Sequence, residues 1–282
     1  MPTTPPPTAP LLAPVASATA LIVGAGRGIG LGFVKQLLEE PRITRLYATY
    51  RDANSAAELL ALSQWQGDRL ILFKLDITEE AQIASLADEI KARSGSLHLA
   101  IYAVGILHGP DFQPEKSLRS LQSEPLLHYF QVNAIGAALL AKHLMPLLRH
   151  GEPSIFAAIS AKVGSIGDNH LGGWYGYRAS KAALNMLMKT TALEYERRCP
   201  QTLVVVLHPG TTATQLSEPF QRNVPPEKLF SVERTVAQLW DVLARLQPGD
   251  SGKFFSWDGS ELPGRFLSRF MGRPSNFNIC QS

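Results

Sequence analysis

Tyr177 and Lys181 are the two side chains whose types and spacing are most suited to chemistry. On a helix, residues four apart lie on the same face, with about 5–6 Å between their Cβ atoms. The ammonium of Lys181 would then favour the phenolate and lower the pKa of the Tyr177 phenol from its usual value of about 10. Such a pair predicts a proton donor and acceptor near neutral pH, as carbonyl/alcohol interconversion needs. A plain surface Tyr–Lys pair is the alternative interpretation.

A glycine-rich stretch follows the first apolar run near the other end of the chain. Residues 20–23 are typical of a buried parallel strand, and residues 24–30 read Gly-Ala-Gly-Arg-Gly-Ile-Gly before a helical pattern over 31–40. This order of strand, glycine turn and helix is the context that a dinucleotide motif requires. Glycines let a pyrophosphate approach the backbone, and the helix N-terminus supplies free N–H groups. We therefore predict a dinucleotide site here rather than an ordinary glycine-rich turn.

Predicted strands and helices alternate along the middle of the chain. We predict strands at 20–23, 45–50, 70–75, 97–103, 154–160, 202–208 and 253–257. The helices that lie between them include 79–93, 123–148, 177–198 and 232–246. This alternation predicts an α/β fold: a single-domain, Rossmann-type, doubly wound parallel sheet of about seven strands. The breaker-rich segments 107–119 and 211–229 follow strand ends, where the substrate pocket is expected.

The two ends of the chain differ in composition from this domain. Residues 1–17 contain six prolines and no charged side chain, which predicts a disordered leader. We assign residues 18–262 to the dinucleotide-binding domain and residues 263–282 to a basic C-terminal extension with three arginines and no acid. We expect this tail to pack on its own domain or on a neighbouring subunit, with an amphipathic surface helix as the alternative. Three arginines are too few to predict nucleic-acid binding.

The composition is that of an ordinary packed protein. The chain is 45% apolar and 18% charged, with a formal net charge of +3. No apolar run reaches the ~18 residues of a membrane span. The two cysteines match no metal-binding or redox spacing, so we predict no metal site. The absence of a basic signal-peptide region and the sparse cysteines predict a cytoplasmic location.

The chain resembles the short-chain dehydrogenase/reductase family over roughly residues 18–260. The family's glycine pattern matches Gly24, Gly28 and Gly30, and its Tyr-x-x-x-Lys matches Tyr177 and Lys181. A family asparagine matches Asn133, and the family's Pro-Gly matches residues 209–210. Within the family, the stretches 163–166, 172–175 and 208–211 are most similar to the C-factor and sniffer-type carbonyl reductase group.

The resemblance implies an oxidoreductase that transfers a hydride between NADP(H) and a small carbonyl or alcohol substrate. Tyr177 would exchange the proton, Lys181 would hold the tyrosine pKa down and grip the nicotinamide ribose, and Asn133 would support a water path from Lys181. A homodimer or homotetramer is also implied. The alternative is a nucleotide-binding signalling or regulatory protein of the same fold with little catalysis. A serine hydrolase would need a Gly-x-Ser-x-Gly elbow, which the sequence lacks.

The resemblance also implies a set of cofactor-binding residues. They are Gly24, Arg27, Gly28, Ile29, Gly30, Arg51, Asp76, Ile77, Gly105, Tyr177, Lys181, Pro209, Gly210 and Thr211. An acid at the end of the second strand would select NAD, but the residue there is Arg51, which favours the 2′-phosphate of NADP. In the alternative, Asp52 contacts the ribose and NAD binds. Asp76 is either a contact near the adenine or a helix cap.

The chain departs from the family pattern at the catalytic serine. Anchored on Gly164, the usual serine position falls on Ala161, with Ser160 beside it and Ser165 further along. Adjacent side chains on a strand point in opposite directions, so Ser160 can serve only if the chain bends at the strand end. We choose Ser160 and keep Ser165 as the alternative. The predicted catalytic set is Asn133, Ser160, Tyr177 and Lys181.

Overall fold

Seven parallel strands form the central sheet of the protein in a computed structural model that describes residues 15–263. The strands in chain order are β1 (Ala18–Val23), β2 (Ile43–Tyr50), β3 (Leu70–Lys74), β4 (Leu99–Tyr102), β5 (Ser154–Ile159), β6 (Thr202–His208), β7 (Thr211–Thr212), β8 (Leu229–Phe230) and β9 (Phe254–Ser256). The large sheet has the order β3-β2-β1-β4-β5-β6-β9, and β7 pairs with β8 separately. The predicted doubly wound parallel sheet is therefore confirmed.

Helices cover both faces of this sheet. They are α1 (Gly28–Leu38), α2 (Ala57–Gln66), α3 (Glu80–Ser94), α4 (Ser123–Phe130), α5 (Gly136–Leu148), α6 (Tyr175–Arg198) and α7 (Val232–Ala244). The helices α1, α2 and α7 contribute to one apolar cluster, and α3, α5 and α6 contribute to the other. Strand β1 shows why both faces are apolar, since Ala20 and Ile22 face the first cluster while Leu21 and Val23 face the second.

The segment predicted as one helix over 123–148 is interrupted. A π-helical turn, Gln131–Ile135, separates α4 from α5, so the prediction of a continuous helix is wrong here. Such single π-helical turns inside α-helices occur frequently at functional sites. The Tyr102 hydroxyl donates a hydrogen bond to the Val132 carbonyl in this turn at 2.5 Å. Apolar spacing could not reveal the turn, since it shifts the helical register by a single residue.

The predicted leader and tail fall mostly outside the described residues, which exclude 1–14 and 264–282. Val15 is buried in the core, and the Ser17 hydroxyl pairs with that of Thr44 at 2.7 Å. The packed domain thus begins before the predicted boundary at residue 18. Within residues 15–263, each helix is too short or too polar to cross a bilayer.

Candidate active site

A cavity of about 880 Å³ opens at the carboxyl ends of the parallel strands. It lies where the strand order reverses, because β1 has β2 on one side and β4 on the other. In doubly wound sheets, ligands bind at this switch point. The loops that follow β1 to β6 line it, together with the first turns of α6. Most of the predicted cofactor set lines it: Gly24, Arg27, Gly28, Ile29, Arg51, Asp76, Ile77, Gly105, Tyr177, Lys181, Pro209, Gly210 and Thr211.

The glycine loop after β1 has a geometry that side chains would obstruct. Gly24 and Gly28 have φ angles of +86° and +55°, a region that favours glycine. A Cβ on Gly30 would lie 2.1 Å from the carbonyl oxygen of Gly24. Gly30 therefore packs behind the loop and does not line the cavity. The loop leaves an uncovered backbone at the N-terminus of α1, which suits a pyrophosphate.

Three charged side chains surround the end of the cavity next to β2. Arg51 is exposed and lines the cavity, and the Arg27 guanidinium donates to the side-chain oxygen of Gln215. Asp52 accepts a hydrogen bond from the backbone N–H of Asn54 at 3.2 Å, so one carboxylate oxygen is used in the turn. Arg27, Arg51 and Asp52 thus all line the cavity, and the Arg27 guanidinium and one Asp52 oxygen already have partners in the protein.

Asp76 closes the turn after β3 and also lines the cavity. Its Oδ1 accepts hydrogen bonds from the backbone N–H and the hydroxyl of Thr78 at 3.0 and 2.7 Å. Burial alone would raise the pKa of this carboxyl, but the Thr78 hydrogen bonds and the charges of Arg51 and His128 lower it overall. Asp76 therefore has the turn-capping role, and its position in the lining is compatible with the cofactor role as well.

Tyr177 and Lys181 project from α6 into the same cavity, and both are buried. The Lys181 Nζ lies 5.9 Å from the centroid of the Tyr177 ring and donates to the carbonyl of Ile159 at 3.1 Å. Burial lowers the pKa of Lys181 to about 8 and raises that of Tyr177 above its ordinary value. The predicted lowering of the tyrosine pKa is therefore wrong for this arrangement, because burial disfavours both charged forms.

Asn133 lies behind the cavity wall, in the π-helical turn. Its amide oxygen accepts from the backbone N–H of Ile106 at 2.8 Å, and its amide nitrogen donates to the Ile106 carbonyl and the Ser180 hydroxyl, each at 3.0 Å. A Cβ on Gly105 would lie 3.4 Å from the Lys181 Nζ and 3.5 Å from the Asn133 oxygen. Asn133 thus ties the loop after β4 to α6 at the height of Lys181.

The two candidate serines are in different surroundings. Ser160 lines the cavity, and its hydroxyl donates to the Asn185 side-chain oxygen at 2.7 Å. Ser165 is buried outside the cavity lining and donates to the carbonyl of Pro263 at 2.7 Å. Ala161 lines the cavity and packs against the apolar cluster of Leu107, Tyr129 and Tyr177. Of these three positions, the one that packs on the cluster with Tyr177 therefore carries a methyl group rather than a hydroxyl.

Aromatic side chains form the cavity wall beyond Tyr177. The Trp174 ring lies 4.9 Å from that of Phe220 and 6.2 Å from that of Tyr177, measured between centroids. Leu216 packs on the same cluster and lines the cavity. Phe220 and Leu216 were not singled out from the sequence, although they belong to the breaker-rich segment 211–229 that was expected to carry the pocket.

His208, at the end of β6, is another cavity residue that the sequence did not single out. Its Nδ1 accepts a hydrogen bond from the backbone N–H of Lys162 at 3.2 Å. Burial, together with the Lys162 charge, lowers the pKa of His208 to about 4. Its place directly before Pro209 and Gly210 could have identified it from the sequence as a cavity residue. His208 is therefore a half-buried group that is neutral at physiological pH.

A histidine-rich cluster lies outside this cavity, at the amino ends of the strands. The Nδ1 of His98 accepts from the backbone N–H of Thr19, and its Nε2 pairs with Glu152 at 2.9 Å. The two ring nitrogens of His150 pair with the Leu97 carbonyl and the Glu152 backbone N–H. The three side chains have the spacing of metal ligands. However, the hydrogen bond from Thr19 fixes the tautomer of His98 with its proton on Nε2, which blocks coordination there.

A family model described as short chain dehydrogenase matches residues 18–225. Among curated proteins, the chain is 30% identical over 262 residues to the short chain dehydrogenase gsfK of Penicillium aethiopicum, covering 87% of this chain and 98% of that protein. It is 33% identical over 135 residues to the C-signal protein of Myxococcus xanthus, covering 48% of this chain and 75% of that protein.

Two solved structures with the same architecture are carbonyl reductases. The NADPH-bound carbonyl reductase from chicken fatty liver superposes with a TM-score of 0.78 at 29% identity, covering 87% of this chain and 98% of that one. The carbonyl reductase Sniffer of D. melanogaster gives a TM-score of 0.77 at 26% identity, covering 87% and 99%.

Proposed function

The chain belongs to the short-chain dehydrogenase family, and from this premise we propose that it transfers a hydride between NADP(H) and a carbonyl or alcohol substrate. One observation carries the proposal. The Tyr177–Lys181 pair and the glycine loop line a single cavity. A proton donor and a loop suited to phosphate would therefore contact a cofactor and a substrate bound in the same cavity. The similarity to carbonyl reductases supports this reaction class.

The residues around the cavity fit a bound dinucleotide. The loop of Gly24 and Gly28 would hold the pyrophosphate against the N-terminus of α1. Arg27 and Arg51 would face the 2′-phosphate of the adenine ribose, since guanidinium groups match phosphate oxygens with several donors. NADP(H), when bound, supplies or accepts the hydride. The chicken carbonyl reductase has NADPH bound, which supports the same choice here.

The proton chemistry falls to Tyr177 and Lys181. Because burial raises its pKa, the Tyr177 phenol stays protonated at neutral pH, which is the form that can donate a proton to a carbonyl oxygen. Lys181, with a pKa of about 8, is mainly charged at neutral pH and would stabilise the phenolate that forms as the proton leaves. The hydrogen bond from its Nζ to the Ile159 carbonyl holds the charge in place.

Consumption of NADPH with panels of aldehydes, ketones and quinones tests the proposal. We expect turnover by the wild type and its loss in Tyr177→Phe. Tyr175→Phe is the matched control, because Tyr175 lies two residues earlier on the same helix and is 37% exposed. Its activity should stay within about twofold of the wild type.

The alternative of a regulatory nucleotide-binding protein has its own observation. Ala161 packs on the apolar cluster that contains Tyr177, and both candidate serines donate their hydroxyl hydrogens to other protein groups. In that case NADPH would bind, measured by fluorescence titration, without turnover of any member of the panels. That result would overturn the proposed hydride transfer and favour the regulatory function.

A further inference from the structure

Trp174 has an unusual backbone conformation at the start of α6. Its φ and ψ are 51° and 45°, and no other non-glycine residue within 15–263 has a positive φ. Gly172 and Gly173, directly before it, are also left-handed. A bulky side chain in this region is strained, and such strain persists only where surrounding contacts hold it. The contacts that hold Trp174 are therefore informative.

Glu115 supplies two of these contacts from the loop between β4 and α4. Its backbone carbonyl accepts a hydrogen bond from the Trp174 N–H at 2.5 Å. Its buried carboxylate accepts one from the Gly176 N–H at 3.1 Å. Gly176 is in the first turn of α6, where N–H groups have no partner within the helix. The carboxylate therefore satisfies a donor that would otherwise be buried without an acceptor.

The packing around Gly176 brings Glu115 close to the cavity wall. A Cβ on Gly176 would lie 2.4 Å from the Tyr129 ring and 2.9 Å from the Glu115 Oε1, so the helix start packs directly on both side chains. Arg178 secures the other side of the turn, because its Nε donates to the carbonyls of Gly172 and Gly173 at 3.2 and 3.0 Å. Gly172, Gly173 and Arg178 belong to the turn itself, whereas the Glu115 carboxylate and the Tyr129 ring come from other parts of the chain.

We infer that Glu115 is a positioning residue that fixes the Trp174 indole as the wall of the substrate pocket. Glu115 itself does not line the cavity, whereas Trp174 does. The indole packs edge-on to Tyr177 and against Phe220, so its place sets the width of the apolar space beside the phenol. Held there, the wall favours carbonyl compounds that carry an apolar ring over small aliphatic ones. The inference rests on the proposed reduction of carbonyl compounds.

Kinetics of two substrates separate positioning from simple stability. We expect Glu115→Ala to raise KM for a ring-bearing aldehyde such as benzaldehyde about tenfold. Its kcat, and the KM for propanal and for NADPH, should stay within about twofold. Glu115→Gln keeps an oxygen for the Gly176 N–H and should behave like the wild type. In Glu115→Asp the side chain is one methylene shorter and cannot reach the Gly176 N–H, so this variant should resemble Glu115→Ala. Lys116→Ala, at the exposed neighbouring residue, is the matched control.

Tryptophan fluorescence provides a second measurement that needs no turnover. The emission of Trp174 is obtained by subtracting, from the spectrum of each variant, the spectrum of the same variant that also carries Trp174→Phe. We expect Glu115→Ala to shift this emission to longer wavelength and to increase its quenching by acrylamide, and Glu115→Gln to do neither. Unchanged emission, or equal loss of kcat for both aldehydes in Glu115→Ala and Glu115→Gln, would overturn the inference. If Glu115→Ala does not fold, Glu115→Asp takes its place, and its comparison with Glu115→Gln tests the same inference. An inactive wild type with the expected emission shift would instead reject only the proposed function.

Discussion

The Ser160 hydroxyl donates its hydrogen bond to the side-chain oxygen of Asn185 at 2.7 Å, one helical turn beyond Lys181 on α6. A hydroxyl bound in this way must turn before it can donate to a substrate carbonyl. The buried Nδ2 of Asn185 has no hydrogen-bond partner among residues 15–263, so the amide's hydrogen bond within this range is the one to Ser160. The serine predicted to orient the substrate is thus engaged by the protein itself.

We therefore predict a moderate effect for Ser160→Ala. A dedicated oxyanion donor is worth about 10²–10³ in kcat, but the competing bond to Asn185 reduces the benefit. We expect kcat for the best substrate to fall about tenfold with little change in the KM for NADPH. Ser165→Ala, which loses only the bond to the Pro263 carbonyl, should stay within about twofold. A larger effect at Ser165 than at Ser160 would transfer the role to Ser165.

Ala161→Ser tests whether the site lacks a donor beside the phenol. Ala161 packs on the cluster that contains Tyr177 and lines the cavity, so a serine there would add a hydrogen-bond donor to the site. One added donor should raise kcat about tenfold, because it stabilises the charge that develops on the oxygen. Ala161→Cys is the matched control, since a thiol has a similar shape and donates weakly. Equal effects of serine and cysteine would mean that shape, not hydrogen bonding, matters at this position.

Tyr177→Phe and Lys181→Met should differ in what they damage. Removing the Tyr177 hydroxyl deletes the proton donor, and general acid catalysis is worth about 10²–10⁴ in rate. We expect that loss in kcat with NADPH affinity nearly unchanged in titrations. Lys181→Met should lower both kcat and NADPH affinity, because Lys181 is expected to stabilise the phenolate and to bind the nicotinamide ribose. A Tyr177→Phe variant that loses NADPH affinity but keeps its turnover would contradict the assignment.

Arg51→Ala tests the choice of cofactor. Charge-assisted hydrogen bonds contribute about 1.5–3 kcal/mol each, or roughly ten- to a hundredfold in affinity. We expect NADPH to bind weaker by about that factor and NADH to be unaffected, because NADH has no 2′-phosphate. Asp52→Asn tests the alternative, in which Asp52 binds the ribose. In that case the wild type prefers NADH, and the Asp52→Asn variant binds NADH more weakly than the wild type does. Equal weakening of both cofactors by Arg51→Ala would assign Arg51 a structural role.

The sequence predicted those parts of the structure that depend on short-range pattern. Alternating strands and helices gave the sheet, and the glycine spacing and the Tyr177–Lys181 pair located both ends of the cavity. What it missed depends on contacts between distant segments. The π-helical turn around Asn133 is one such feature, because its hydrogen bonds lead to Ile106 and Ser180. The raised pKa of Tyr177 is another, since burial is set by the whole fold.

His208 is predicted to make the folded state sensitive to acid. Burial lowers its pKa to about 4, the Lys162 charge adds to the effect, and Asp258 opposes it. In the unfolded chain its pKa is about 6.5. Between these two values the unfolded state binds more protons than the folded state, so stability falls as the pH falls through this window. The contribution is present above about pH 6.5, and about 3 kcal/mol of it is lost by about pH 4.

His208→Asn provides the comparison that isolates this group. The asparagine oxygen can accept the hydrogen bond from the Lys162 N–H, as the Nδ1 of His208 does, but the amide does not titrate. The free energy of unfolding is measured by denaturant titration at about pH 7, 5 and 4 for both proteins. Other groups, including the buried His98, titrate in both and cancel in the difference. The wild-type value minus the variant value should fall by about 3 kcal/mol over this range. A difference that is constant with pH would show that His208 titrates in the folded protein as it does in the unfolded chain.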